Sequence, residues 1–218
     1  MLRSVLWLIL CLPASVFAAA AGAEETAPTV LVVGDSLSAG YGLRPGEGWV
    51  SLLEAKLGSQ GYPHRIVNAS ISGDTTRGAL ARLPRALEVH APDLVIIELG
   101  ANDGLRGFPP DVMRDNLESI IALTRAAGAR VLLLGMHLPA NYGADYTARF
   151  HQVFVDIAQR EQVPFLPFFL DGVALQPDMM QADGLHPAAV AQPRLLANVW
   201  PALEPLLKTG TSAADERT

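Results

Sequence analysis

The chain has 218 residues; half are hydrophobic, 17% are charged, and 16 basic against 22 acidic side chains leave a net charge of −6. That balance excludes a disordered or collagen-like chain and suits one globular domain, large enough to bury about 70% of its unfolded surface without disulfide or metal staples. No basic stripe is present to neutralise phosphates, which argues against nucleic acid as a partner.

The chain opens with Arg3, an apolar run from Val5 to Leu12, then Pro13 and small residues through Ala23. A basic start, a short apolar run and an alanine-rich exit read as a secretory signal peptide over residues 1–23, with cleavage after Ala18 or Ala23. The run is too short for a membrane span of ~20 residues, so no stable membrane insertion is expected once the signal is cleaved. The single cysteine, Cys11, lies inside this segment. The expected product is an exported, cysteine-free protein, periplasmic or secreted, held by its core.

Downstream, short apolar, β-branched runs alternate with helical periodicity. Strands are expected at Thr29 to Val33, His64 to Asn68, Asp93 to Leu99, Arg130 to Leu134 and, more weakly, Val163 to Leu166. Helix spacing appears in Trp49, Leu52, Leu53 and Leu57, in Leu80, Leu83 and Leu87, and in Leu117, Ile120, Ile121 and Thr124. It recurs in Phe150, Val153, Phe154 and Ile157, and from Leu195 to Leu207, with stops at Gly58, Gly61, Pro92 and Gly128. Such alternation predicts an α/β fold: a parallel sheet with helices on both faces, in one domain over residues 28–207. The polar tail, 208–218, is expected to be disordered.

Ligands of an open parallel sheet bind at the carboxyl ends of its strands. The segments there are Gly34-Asp35-Ser36-Leu37-Ser38, Ala69 to Thr75, Gly100-Ala101-Asn102-Asp103-Gly104, and, near the C-terminus, Asp183-Gly184-Leu185-His186. Ser36, directly past the first buried strand, is the candidate nucleophile; Ser38, Ser70 and Ser72 compete but sit less directly at a strand end. A hydroxyl needs an adjacent base. His186 is the candidate, with Asp183 three residues earlier to set its tautomer and stabilise its cation. Developing negative charge on a substrate oxygen needs donors: the N–H groups of Ser36 and Gly73 and the side-chain amide of Asn102 are the candidates. A glycine at 73 lets the backbone approach the reacting carbonyl. Met179 and Met180, just ahead of Asp183, are candidate acyl-pocket residues, because methionine adapts to varied shapes. His64, His90, His137 and His151 read as structural.

These four blocks, in order, resemble the GDSL or SGNH hydrolases, a family named for Ser, Gly, Asn and His in four motifs. The likeness extends through Val67 to Thr75, Asn102 to Gly107 and Leu138 to Gly143, and spans about residues 29–207. Within the family the chain resembles exported bacterial enzymes with thioesterase, lysophospholipase and arylesterase activity. The resemblance implies a flavodoxin-like three-layer sandwich with a five-stranded parallel sheet and no cofactor. It implies hydrolysis of small-molecule esters and thioesters (aryl esters, acyl-CoA, lysophospholipids) through an acyl-serine; a monomer is expected. One departure is Ala101, where a glycine is expected. Three rival readings remain. One is a carbohydrate deacetylase of the same family. Another is a metal-dependent phosphoesterase on Asp35, Asp74, Asp103 and His137, which lacks paired histidines. The third is a non-catalytic binding protein on the same fold.

Overall fold

The computed structural model describes residues 27–208. The predicted signal segment, with both cleavage sites, and residues 209–218 of the predicted tail lie outside them. Five parallel strands form one sheet: β1 (Thr29–Gly34), β2 (Arg65–Asn68), β3 (Leu94–Glu98), β4 (Arg130–Leu134) and β5 (Phe165–Leu166). The first four fall within one residue of the expected bounds, and β5 is reduced to two residues. Every residue of β1 and β3 is buried, which is why they read as unbroken apolar runs rather than alternating ones.

The spatial order is β2-β1-β3-β4-β5. The chain steps outward from β1 to β2, then returns to the other side of β1 to lay down β3, β4 and β5. Right-handed crossovers therefore put the first connecting helix on one face and the next three on the other. The first is α2 (Trp49–Ser59), which packs against the C-terminal α7 (Gln192–Lys208). Across the sheet, α3 (Thr76–His90), α5 (Pro110–Ala126) and α6 (Ala144–Glu161) pack side by side. Each buries one stripe: in α5, Met113, Leu117, Ile120, Ile121 and Thr124 face inward at helical spacing. Fully burying side chains of this kind contributes about 1.5–3 kcal/mol each. The three-layer sandwich expected from the resemblance is the fold observed.

Two boundaries differ from expectation. Gly58 lies inside α2 rather than stopping it; the turn falls at Gly61, which adopts φ +76°. Lys208, assigned above to the tail, is the last residue of α7. Two short helices were not anticipated, α1 (Ser36–Ala39) and α4 (Ala101–Leu105). Both start at the carboxyl ends of neighbouring strands, β1 and β3, where the strand order reverses. That reversal opens a crevice at the top of the sheet, the usual ligand site of such folds.

Candidate active site

Ser36 is the first residue of α1. Asp35, not Ser36, caps this helix, its Oδ1 accepting from the Leu37 N–H at 3.0 Å. The capping role open to a serine at this place is thus filled by its neighbour. Buried Leu37 and Ser38 fasten the helix to the core, and Ser36 is left half-buried at the crevice.

The partner side chains arrive from the far end of the chain. Residues 179–188 fold back on themselves: Met180 and Pro187 form an antiparallel bridge, Ala188 N–H donates to Met179 O at 2.7 Å, and Gln181 N–H donates to His186 O at 2.7 Å. Gly184, at φ +66°, closes the turn by donating to Gln181 O. Asp183 lies in this turn. Its Oδ1 accepts from the N–H groups of Leu185 at 2.9 Å and His186 at 3.0 Å, and its Oδ2 lies 2.6 Å from His186 Nδ1. Those hydrogen bonds, first from the His186 backbone and then from its ring, hold Asp183 down at about 2. An ionised Asp183 only accepts, so Nδ1 carries the ring proton and Nε2 is left as the acceptor. Nε2 lies 2.8 Å from Ser36 Oγ, a separation of 150 residues in sequence. Asp183, His186 and Ser36 thus form one hydrogen-bonded relay.

Asn102 is the second residue of α4. Its Nδ2 donates to Asp35 Oδ2 at 3.0 Å, which uses one of two amide hydrogens. The residue preceding the candidate nucleophile therefore orients the candidate oxyanion donor. Ala101, the departure from the family pattern, packs its methyl against the core and leaves α4 intact. The tight position is Gly100, at φ +110°, where a Cβ would stand 2.9 Å from both Met113 Sδ and Phe154 Cζ. Gly73 lies in the loop after β2, at φ +80°. That loop is tied to β1 by Ile71 N–H donating to Gly34 O at 3.0 Å and by Ala69 N–H donating to Val32 O at 2.9 Å. Arg106, beyond α4, donates to Gly73 O at 2.7 Å.

The competing serines serve other ends. Ser38 Oγ is buried, donating to Glu98 Oε2 at 2.7 Å and accepting from Trp49 Nε1 at 3.2 Å. Ser70 Oγ is buried without a partner, and Ser72 is exposed away from the relay's hydrogen bonds. Met179 and Met180 are half-buried, packed in part against the core at the base of the His186 turn. The four residues of the phosphoesterase reading do not gather. Asp74 pairs with Arg82 at 2.8 Å, buried Asp103 accepts from both Thr76 N–H and Oγ1, and His137 stacks on His151 at 3.7 Å between ring centroids. Among the described residues no group of three or more His, Cys, Asp or Glu could hold a metal ion.

Sequence reading missed the carboxylate beneath α1. Glu98 ends β3 fully buried, with Asp35 N–H donating to its Oε2 at 3.3 Å and its Oε1 unpartnered. Burial, and secondarily the charge of Asp35, push Glu98 well up, while burial pushes Asp35 up to about 6 against the hydrogen bonds it accepts. The signal was present as a lone acid in an otherwise apolar strand.

A model of the GDSL-like lipase/acylhydrolase family matches residues 32–192. The chain is 55% identical to esterase TesA of Pseudomonas aeruginosa over 184 residues, 84% of this chain and 92% of that protein. It is 45% identical to thioesterase 1/protease 1/lysophospholipase L1 of Escherichia coli K12 over 181 residues, 83% of this chain and 86% of that one. Among solved structures, the psychrotrophic esterase EstA from Pseudoalteromonas sp., inhibited by monoethylphosphonate, matches with a TM-score of 0.79 at 42% identity, covering 83% of this chain and 98% of that chain. The matched span runs from β1, ahead of Ser36, past His186 to the first residue of α7, so it contains the whole relay, and the chain belongs to the GDSL-like lipase/acylhydrolase family.

Proposed function

We propose that the protein hydrolyses carboxylic esters and thioesters through an acyl-serine intermediate on Ser36. The observation that carries this reading is the relay itself, with Asp183, His186 and Ser36 linked at 2.6 Å and 2.8 Å. As Ser36 Oγ attacks the acyl carbonyl, its proton passes to His186 Nε2, and Asp183 stabilises the resulting imidazolium. The carbonyl oxygen becomes an oxyanion, received by the free hydrogen of Asn102 Nδ2 and the N–H groups of Gly73 and Ser36. Collapse expels the alcohol or thiol, which takes the proton from Nε2. Water then gives its proton to Nε2, attacks the acyl-serine through a second oxyanion, and releases the carboxylic acid with Ser36 reprotonated.

The names of the relatives support esters, thioesters and lysophospholipids as the substrate classes, and Met179 and Met180 are the residues we place beside the acyl chain. We infer that the protein acts as an exported monomer, periplasmic or secreted, after cleavage of its signal segment at Ala18 or Ala23; no described helix is long and apolar enough to cross a membrane.

The test is labelling by an alkyl phosphonate. One adduct per chain on Ser36, lost together with hydrolysis in Ser36→Ala, is the expected result. Hydrolysis that survives in Ser36→Ala, or that is abolished by excess chelator, overturns it. A series of acyl esters of increasing chain length separates this activity from a deacetylase, which would accept acetate alone.

A further inference from the structure

The imidazole of His186 has two edges and two faces. Its edges are occupied by Ser36 and Asp183. One face lies against Tyr41, with ring centroids 4.6 Å apart and planes inclined by 39°. Tyr41 is 53% exposed, so its ring is not there to fill the core. Its main chain is fixed on both sides. The Tyr41 N–H donates to Ser36 O at 3.1 Å, and the Tyr41 carbonyl accepts from Gln181 Nε2 at 2.8 Å.

Gln181 belongs to the opposite segment, the turn that carries Asp183 and His186. Its N–H donates to His186 O, its carbonyl accepts from Gly184 N–H at 2.9 Å, and its Nε2 also reaches Pro187 O at 3.1 Å. One side-chain amide thus joins the loop leaving the nucleophile helix to the residue following the histidine. The space for it exists because residue 42 is glycine: a Cβ there would stand 2.1 Å from Gln181 Oε1, and Gly42 has φ +73°.

Nothing in the relay itself calls for either contact. Resting on the serine-hydrolase reading above, we propose that Tyr41 and Gln181 form a clasp that positions His186 between Ser36 and Asp183. Neither is a catalytic residue; both act through the imidazole. Gln181 fixes the distance between the two segments, and the Tyr41 ring limits rotation of the imidazole out of the plane its two hydrogen bonds require. An aromatic face also favours the cation that His186 becomes during attack, an effect realised in the transition state rather than on substrate binding. The charged groups facing His186 are Asp183, in contact, and Asp35, which senses its charge from beneath α1.

The experiment uses purified protein and a short-chain nitrophenyl ester, with Tyr41→Phe, Tyr41→Ala, Gln181→Ala and the double alanine variant. Displacing a catalytic group by about 1 Å can cost 10²-fold. Tyr41→Ala and Gln181→Ala are therefore expected to lower kcat by about 10- to 100-fold with little change in KM. Tyr41→Phe, which keeps the ring, is expected within about twofold of wild type. The double variant should fall by less than the product of the singles, because the two act on one ring. The far-downfield proton resonance of His186 Nδ1, sharp in wild type, should broaden in both alanine variants as the ring loosens. Tyr41 is exposed enough that its variants are expected to fold; Gln181→Met, which keeps the bulk but cannot donate to Tyr41 O, is the independent check should Gln181→Ala not fold. Raised KM at unchanged kcat would show that Tyr41 touches substrate instead, and a phenylalanine variant as impaired as alanine would remove the ring from the account; either overturns the clasp. Ser36 labelled by phosphonate, with clasp variants at full kcat, sinks the clasp alone. Activity in Ser36→Ala sinks the serine reading beneath it.

Discussion

The two ends of the relay are held by opposite means. Ser36 starts a helix whose cap, Asp35, is fully buried, and it follows a strand in which every residue is buried. His186 and Asp183 lie on a surface turn, their side chains 20% and 38% exposed, fixed by a few polar contacts. On the Ser36 side, position follows from core packing, which any change of volume disturbs. On the His186 side it follows from individual hydrogen bonds, each of which a single substitution removes. Activity is therefore separable from stability at the turn and coupled to it beneath α1.

The sharpest break is at the relay itself. Ser36→Ala and His186→Ala are each expected to lower kcat/KM by several orders of magnitude, since members of such a relay act as a unit. Thermal melting should stay close to wild type, because Ser36 is only half-buried and His186 lies on the turn. Wild-type turnover in either variant would dissolve the comparison.

Asp183→Asn comes next. The two backbone N–H groups of Leu185 and His186 select an oxygen at the Oδ1 position, which turns the new NH₂ toward His186 Nδ1. The ring must then accept there and carry its proton on Nε2, where it blocks deprotonation of Ser36. A loss approaching ~10⁴ in kcat is expected, as for other triads treated in this way, with only a small fall in melting temperature, because Asp183 is partly exposed. Steady-state kinetics beside a melting curve checks both halves.

Asn102 bridges the two regions, rooted like Ser36 yet acting through an exposed hydrogen. Asn102→Ala should lower kcat by about 10²–10³ with a smaller effect on KM, as for loss of an oxyanion donor. Asn102→Asp should do no better, because a carboxylate would face both Asp35 Oδ2 and the oxyanion. Restored activity in the aspartate variant would show that Asn102 is structural.

The same contrast decides what the sequence discloses. β1 and β3 are legible because full burial on both faces leaves a β-branched run that little else produces. Ser36 and Asn102 are legible as candidates just past strand ends, Asp183 and His186 as an acid and a histidine three residues apart, and the resemblance orders them. The short helices α1 and α4 are not, because helices of four and five residues carry no periodicity. Nor is the part played by Glu98, Tyr41 or Gln181. Each acts through one partner far along the chain, and a single long-range hydrogen bond or ring contact leaves no local pattern.

The last test turns the comparison into a pH dependence of opposite sign at the two ends. Asp183 is lowered from 3.8 to about 2, so the stability it contributes is fully present above pH 3.8 and is lost as pH falls through about 2. Asp35 is raised from 3.8 to about 6, mainly by burial, so folding favours its protonated form. Its contribution is fully present below pH 3.8 and is lost as pH rises through about 6, where ionisation places a charge beside Glu98. The wild-type melting temperature should therefore fall between pH 5 and pH 7.5, by an amount corresponding to a few kcal/mol at most. Asp35→Asn cannot ionise. It forfeits the hydrogen bond from Asn102, so it starts less stable at pH 5, but its melting temperature should decline less than wild type across that window, because only the contributions of raised Glu98 and lowered His64 and His137, shared by both proteins, remain. Asp183→Asn should keep the wild-type decline there from a slightly lower start, and its deficit should vanish in acid, where wild type loses what Asp183 contributes. Parallel melting curves for wild type and Asp35→Asn from pH 5 to pH 7.5 would show that the buried carboxyl beneath Ser36 does not titrate in this range, and the electrostatic distinction between the two ends would fall with it.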